Sequence, residues 1–416
     1  MSRKGLLAEF GLELEDAQEM FVCLDCLGDA MFRQFLNTDL IAERTCAACG
    51  KPTRHAVTPE RIASFIGEYL PKHFTVDHGL YPGYELNLTE VVGKAILCSS
   101  DSVCKAIAAH LVAPEADEDD FYWEGQEYSR KSGPFESEEH ERWYVVGEWQ
   151  HIARELTHGR RFFNDRVKGF FEGVLEEALK AESPDMPGSH PVVRTLPEGG
   201  IVYRARLALS AEEETTILGN PATELGAPPR ELAASNRMSP AGIPLLYAAE
   251  SEKTCIAEVR PSIGDKAVVG KLQATRQLTF FDFNALDGVL SHAPLSLFDP
   301  LYEKRTRRRL LLRYLHDEIA RPVRSNDIAY VVTQALAEFI RYWGKPSFDG
   351  VIFRSVQKQG GTNYVMFARE NNANGMSVVD QTPRFDMKIV EGGISIHTVN
   401  QIQYASSMDG EGVADR

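Results

Sequence analysis

Tyr203-Arg204-Ala205-Arg206, then Asn236-Arg237-Met238-Ser239-Pro240-Ala241-Gly242-Ile243-Pro244, then Leu245-Leu246-Tyr247-Ala248-Ala249, then Ala257-Glu258-Val259-Arg260 set the character of the second half of this chain. Alternation over 201–207 predicts a strand. It puts Ile201, Tyr203, Ala205 and Leu207 on one face, and Arg204 and Arg206 on the other. Proline and glycine over 239–244 read as a turn into a second strand around Tyr247. Ser251 is placed to cap a short helix that carries Glu258 near its end. Two arginine positions and one carboxylate among short strands and turns suit an anionic ligand with a cationic reacting centre. A serine loop, Arg354-Ser355 through Asn363, joins them from far downstream.

Working outward, further short strands are expected over 267–272, 278–282, 351–353 and 363–367. The segments 385–390 and 394–399 flank Gly392-Gly393 and predict a hairpin. Helices are expected over 252–259, 302–320 and 331–342. Strands and helices in this order give a mixed α+β domain over 196–405, not a regular βαβ series. Upstream, Pro184, Pro187, Gly188, Pro191 and Pro197 mark a linker. Before it, 56–182 reads as a mostly helical domain. Its core stripes would be Val145, Val146, Trp149, Ile152 and Leu156, then Phe163, Val167, Phe170, Phe171, Val174 and Ala178. His151 and His158 on or near those stripes are expected to be structural. Residues 406–416 are polar and expected to be disordered.

The first segment, 1–55, carries Cys23-x2-Cys26, nineteen residues, then Cys46-x2-Cys49. Each pair makes a tight knuckle, and together they predict a tetrahedral thiolate site for a structural zinc. Cys98, Cys104 and Cys255 are expected to be buried small hydrophobes. The 416 residues are 43% hydrophobic and 25% charged, as in an ordinary soluble globular protein. No apolar run reaches the roughly 18 residues of a membrane helix, and residues 1–14 lack a signal-peptide pattern. A cytoplasmic location without membrane contact is expected. The net charge of -15 argues against broad nucleic-acid binding. The basic run Arg305, Arg307, Arg308, Arg309 and Arg313 is expected to form a solvated or interface face, and the acidic stretch 115–141 an exposed loop.

An ordered series of motifs resembles the RES family, named for its Arg, Glu and Ser residues. The series is Tyr203-Arg204, Gly226-Ala227-Pro228-Pro229, Asn236-Arg237-Met238 to Pro244, Tyr247, the segment from Thr254 to Pro261, Thr333-Gln334 to Phe339, Phe348-Asp349-Gly350, Ser355, and Asn363-Tyr364 to Phe367. It covers roughly the half after the linker. The N-terminal half resembles, more loosely, the zinc-cysteine and HEPN-like helical domains fused ahead of RES domains.

The resemblance implies a sheet domain related to ADP-ribosyltransferases and an activity that consumes NAD+. Cleavage of the nicotinamide–ribose bond would be by hydrolysis, or by phosphorolysis with inorganic phosphate as co-substrate. Arg204 and Arg237 would hold phosphates, with Arg206 a rival for the first role. Tyr247 would contact the nicotinamide side. Glu258 would be the catalytic carboxylate, and Ser355 would position the ligand with Asn363 nearby. Met238 stands where the compact toxins of the family usually carry an aromatic residue, and Gln357 to Gly361 is an insertion. Many RES proteins are toxins, so an antitoxin or regulatory partner is implied, and a homo-oligomer stays open. Two other activities stay open beside NAD+ cleavage: ADP-ribosyl transfer to a macromolecule, and a zinc-bearing HEPN protein that binds or cuts RNA. The Arg–His spacing of HEPN ribonucleases is missing from the N-terminal half, where Arg154 and His158 stand too close. Arg309 and His316 match its outer limit but fall in the RES half.

Overall fold

A computed structural model describes residues 20–36, 43–77, 85–113, 115–131, 138–181, 190–286, 295–320, 330–369 and 383–402. Contacts divide the chain into two compact units, Met1–Val145 with Pro294–Leu310, and Val146–Ala293 with Leu311–Arg416. The expected tail, and the first part of the expected linker, lie outside the described residues.

The first unit contains β1 (Val22–Cys23), α1 (Ala30–Phe35), β2 (Arg44–Thr45), β3 (Pro52–Thr53), β4 (Ala56–Val57), α2 (Pro59–Ile66), α3 (Leu70–His73), β5 (Phe74–Val76), β6 (Leu86–Asn87), α4 (Leu88–Ile96), α5 (Asp101–Leu111) and β7 (Glu127–Arg130). Thr58 caps α2 ahead of Pro59, and Asn87 with Glu90 forms a capping box on α4. The apolar faces of α2 and α4 both pack on α5. One core joins Val22, Cys23 and Cys46 to Phe32, Ile62, Ile66, Val91, Ile107 and Tyr128. The cysteine segment therefore shares its core with the helices that follow rather than standing apart at residue 55. The expected helical region also holds a small antiparallel sheet in the order β5-β7-β6. Of the two faces expected for the basic run, the solvated one is not seen among the described residues. Arg305 Nη1 donates to Asp299 Oδ2 at 2.7 Å, and Arg307 lies over the Tyr144 ring. Arg307, Arg308 and Arg309 are half-buried rather than solvated, and the Arg313 side chain lies outside the described residues.

Helix α6 (Glu138–His158) spans the division between the units, and α7 (Asp165–Lys180) belongs to the second. Most of the expected stripes are buried, but Phe163 is 98% exposed, with φ 53°. Asn164 caps α7 by accepting from Val167 N, so the chain turns before it and Phe163 falls outside both helices.

The second unit is built on β8 (Val193–Leu196), β9 (Ile201–Ala208), β10 (Leu246–Ala249), β11 (Lys266–Ala274), β12 (Leu278–Asp282), β13 (Gly350–Arg354), β14 (Thr362–Met366) and β15 (Met387–Thr398). They form one eight-stranded sheet in the order β15-β11-β9-β10-β14-β13-β12-β8. All neighbours are antiparallel except β12 and β13, so the sheet is mixed. Its helices are α8 (Ala211–Gly219), α9 (Pro221–Glu224), α10 (Glu252–Glu258), α11 (Tyr302–Ala320), which spans the division, and α12 (Val331–Arg341).

Two expectations change here. Residues 193–196, within the expected linker, form the edge strand β8 paired to β12. The expected hairpin around Gly392-Gly393 is a single strand, β15, because both of its halves pair with β11. The register moves from Gly270↔Ile394 to Leu272↔Ile389, so Val390 to Gly393 stand opposite Lys271 alone.

Phe348-Asp349-Gly350 locks one end of this sheet. Asp349 accepts from both Arg276 Nη atoms at 2.5 and 3.1 Å and from Thr279 N at 2.8 Å. A Cβ on Gly350 would fall 2.2 Å from the Val365 carbonyl oxygen, so no larger residue fits at this pairing of β13 and β14.

Candidate functional site: a carboxylate in an arginine-lined cavity

The sheet opens where β9 meets β10. A single register pair, Ala249↔Tyr203, joins them, and beyond it the ladder stops. The Tyr247 carbonyl instead accepts from Arg204 Nη1 at 2.6 Å. A side chain thus takes the place of a ladder hydrogen bond, and it fixes the guanidinium in the opening. A cavity of about 390 Å³ lies here, lined by Arg204, Arg237, Tyr247, Glu258, Arg260 and Asn363 among others.

Glu258 reaches the cavity because α10 packs beneath the strands. Cys255, with Ile256 and Val259, covers Ala205, Ala249 and Val269 on the inner face. Ser251 caps α10 as expected, its side chain accepting from Thr254 N. Glu258 is the last residue of α10 and its side chain is open to solvent. Two buried residues hold it. Ser355 Oγ donates to Glu258 Oε1 at 2.5 Å, and Asn363 Nδ2 donates to the same oxygen at 2.8 Å. Among the described residues Oε2 has no partner, so it is free to meet a ligand.

The β13–β14 connection sets both donors. Phe353 pairs with Asn363, and Ser355 N donates to the Gly361 carbonyl at 2.7 Å. The stretch Gln357 to Gly361 turns tightly, and Lys358 N donates to Ser355 Oγ at 3.0 Å. That bond orients the hydroxyl so that its proton goes to Glu258.

The two arginines of strand β9 part company. Arg204 is half-buried and lines the cavity, whereas Arg206 is exposed, pairs with the Glu224 carboxylate and is not among the lining residues. Burial pushes the Arg204 guanidinium down to about 10, with Arg206 adding repulsion, so it still carries its charge at neutral pH.

Arg237 sits in the loop before β10. Gly242, at φ 84°, makes the turn that the sequence placed there, and its N–H donates to Ala233 O at 2.9 Å. Helix α12 clamps this loop. Thr333 Oγ1 donates to Arg237 O at 2.6 Å, and Gln334 Nε2 donates to Asn236 O at 2.8 Å. The Arg237 guanidinium itself donates to the Ile319 carbonyl. Burial lowers its pKa, which Tyr330 and the Glu258 charge partly restore. Tyr247 forms part of the wall, and its hydroxyl accepts from Met238 N at 3.2 Å. Met238 is buried and is not among the lining residues, so it belongs to the packing beneath the site.

Residues 202–388 match the RES domain family model. The family suggested by the motifs is thus supported over just under half of the chain. No curated protein and no solved structure matches the chain. The RES region brings Arg204, Arg237, Tyr247, Glu258, Ser355 and Asn363 into one site. Tyr330, Phe353, Gln357 and Arg260 also line the cavity, although the sequence pattern assigned none of them a ligand contact. Arg260 was within reach, two residues after Glu258. Tyr330 was not, since only the folding of α12 against the Arg237 loop brings it there.

The four paired cysteines form a separate site in the first unit. Their sulfurs lie within 4.8 Å of one another. Cys23–Cys26 is 3.4 Å, Cys23–Cys49 3.8 Å and Cys26–Cys46 3.8 Å. A tetrahedron with metal–sulfur bonds of about 2.3 Å has edges of about 3.8 Å, so the donor set fits a four-coordinate thiolate metal. Burial opposes ionisation of Cys46, but backbone N–H groups of Cys23, Cys49 and Ala48 bring its thiol down to about 7. Among the described residues this is the one group of three or more metal-ligating side chains close enough to share an ion.

Proposed function

We propose that the RES region consumes NAD+, breaking the nicotinamide–ribose bond by hydrolysis or by phosphorolysis. The observation that carries this is Glu258. One of its oxygens is gripped by Ser355 and Asn363 while the other has no partner among the described residues, in a cavity lined by arginines. Nicotinamide leaves from a cation, so its departure needs no proton donor. The barrier is the positive charge that grows on the ribose. A carboxylate already held in place stabilises that charge without reorganising. The forked guanidiniums of Arg204 and Arg237 would hold the diphosphate, and that remote binding would keep the ribose against Glu258. The Tyr247 ring would give the nicotinamide an apolar wall. As the C1″–N bond breaks, its electron pair leaves with the nicotinamide nitrogen, an oxygen of water or phosphate bonds to C1″, and the proton lost by an attacking water passes to solvent. The products are nicotinamide with ADP-ribose or with ADP-ribose 1″-phosphate.

The opening of the mixed sheet between β9 and β10 supports an ADP-ribosyltransferase-like fold for this region. The cysteine tetrad would carry a structural zinc that ties β1 to the chain around β2 and β3. The first unit would serve as the HEPN-like module ahead of a RES toxin or defence effector, working in the cytoplasm under the control of a partner protein.

The test is Glu258→Gln in the full chain, with nicotinamide release followed with and without phosphate and the products identified. Loss of one such electrostatic group costs about 10²–10³ in rate. A folded Glu258→Gln protein with full activity would sink the assignment.

A further inference from the structure

Arg260 stands immediately beyond α10, where Val259 is the C-cap, and its φ is 50°. Helices that end this way usually place glycine at this position, because a side chain strains the left-handed backbone. The backbone hydrogen bond there, Arg260 N to Ala257 O at 3.1 Å, would form equally well with glycine. Arginine at this position therefore holds a left-handed backbone that glycine would adopt without a side-chain penalty. Such strain, where it persists, tends to mark a functional site.

The side chain makes the same point. Arg260 is exposed at the cavity. Among the described residues its guanidinium has no hydrogen bond and no ion pair. Glu258 is two residues away, yet its Oε1 is engaged by Ser355 and Asn363. The other two cavity arginines are anchored through carbonyls, Arg204 by Tyr247 and Arg237 by Ile319. Arg260 and Arg237 are near enough for their charges to repel. Two neighbouring cations in an open cavity, one with all its donors unused, suit a tetrahedral oxyanion between them.

We propose that Arg260, together with Arg237, seats a phosphate group at the Glu258 end of the cavity. Arg260 is then a binding residue, kept in a strained backbone for its charge. In the NAD+ reading, on which the source of the phosphate rests, that group is either the diphosphate of the dinucleotide or the incoming inorganic phosphate.

The experiment is calorimetric titration of the full chain with inorganic pyrophosphate and, separately, inorganic phosphate, using the wild type, Arg260→Gly and Arg260→Lys. Arg260→Gly is expected to weaken binding of at least one anion about tenfold or more, the worth of one charge-assisted pair. It should melt at the same temperature as the wild type or higher, since glycine relieves the strain. Arg260→Lys should fall between, keeping the charge but not the fork. Kinetics then separate the sources. A raised KM for NAD+ in phosphate-free buffer points to the diphosphate. Loss of phosphate-dependent turnover at unchanged KM for NAD+ points to inorganic phosphate. Wild-type anion affinity in Arg260→Gly overturns the proposal, as does a wild type that binds neither anion. A wild type that binds anions but releases no nicotinamide defeats the NAD+ reading and leaves Arg260 decided by calorimetry.

Discussion

Asn363→Ala separates activity from stability at this site. Asn363 Nδ2 donates to Glu258 Oε1 at 2.8 Å, while its own Oδ1 is buried without a partner among the described residues. A hydrogen bond to a charged group is worth about 1.5–3 kcal/mol. Glu258 is open to solvent, which draws the value to the lower end. About 1.5 kcal/mol in the transition state is roughly tenfold in kcat. On the stability side, the same substitution removes a stranded acceptor whose burial costs about 1–3 kcal/mol. That gain offsets the lost bond, so the melting temperature should hardly move. Ser355→Ala should also lose roughly tenfold in kcat, but it removes the bond from Lys358 N that closes the turn, so it should melt lower. Both donors serve one oxygen, so the double variant should lose less than the product of the two, under about a hundredfold. Nicotinamide release and thermal unfolding of the four proteins give the whole cycle. Wild-type kcat in Asn363→Ala would refute the idea that these donors pre-set the carboxylate, and so would strict additivity.

The cysteine tetrad should hold one equivalent of zinc per chain, measured by elemental analysis. Because Cys23 and Cys46 belong to the core of the first unit, chelation or Cys26→Ser should unfold that unit, given thiolate–zinc affinities of about 10–16 kcal/mol; a metal-free chain with an unchanged melting profile would contradict this. Gly350→Ala would push a methyl to 2.2 Å from the Val365 carbonyl. Overpacking of this kind costs about 1–3 kcal/mol, so urea unfolding should shift to lower denaturant. Nicotinamide release should fall with it, because β13 leads directly into Ser355; a Gly350→Ala protein as stable as the wild type would show that the strands can part without cost.

Much of the RES region was legible as local pattern. Alternation placed β9, the Ser251 cap placed α10, and the proline–glycine turn before Tyr247 appeared where expected. Where the pattern misled, a contact that the repeat does not encode decided. The segments around Gly392-Gly393 look like two strands of a hairpin, yet both add to β11, which offers a long edge. Phe163 fits a helical stripe by spacing, but the cap at Asn164 starts the helix after it. Arg305 reads as surface charge, but Asp299 draws it inward.

The sequence by itself determined the chemistry available: two arginines on one strand face, a carboxylate ending a capped helix, a serine and an asparagine flanking a turn, and thiols in pairs. These follow from neighbours within a few residues, where periodicity, capping and turn preference operate. Only the tertiary structure decided which groups meet. Ser355 and Asn363 stand 97 and 105 residues from Glu258, and sheet register alone closes that distance. Arg204 enters the cavity and Arg206 does not, because the β9–β10 ladder ends after one pair and leaves the Tyr247 carbonyl for a guanidinium. Arg260 gained its place in the same way, since a left-handed turn after α10 is invisible until the helix has an end and the cavity a wall.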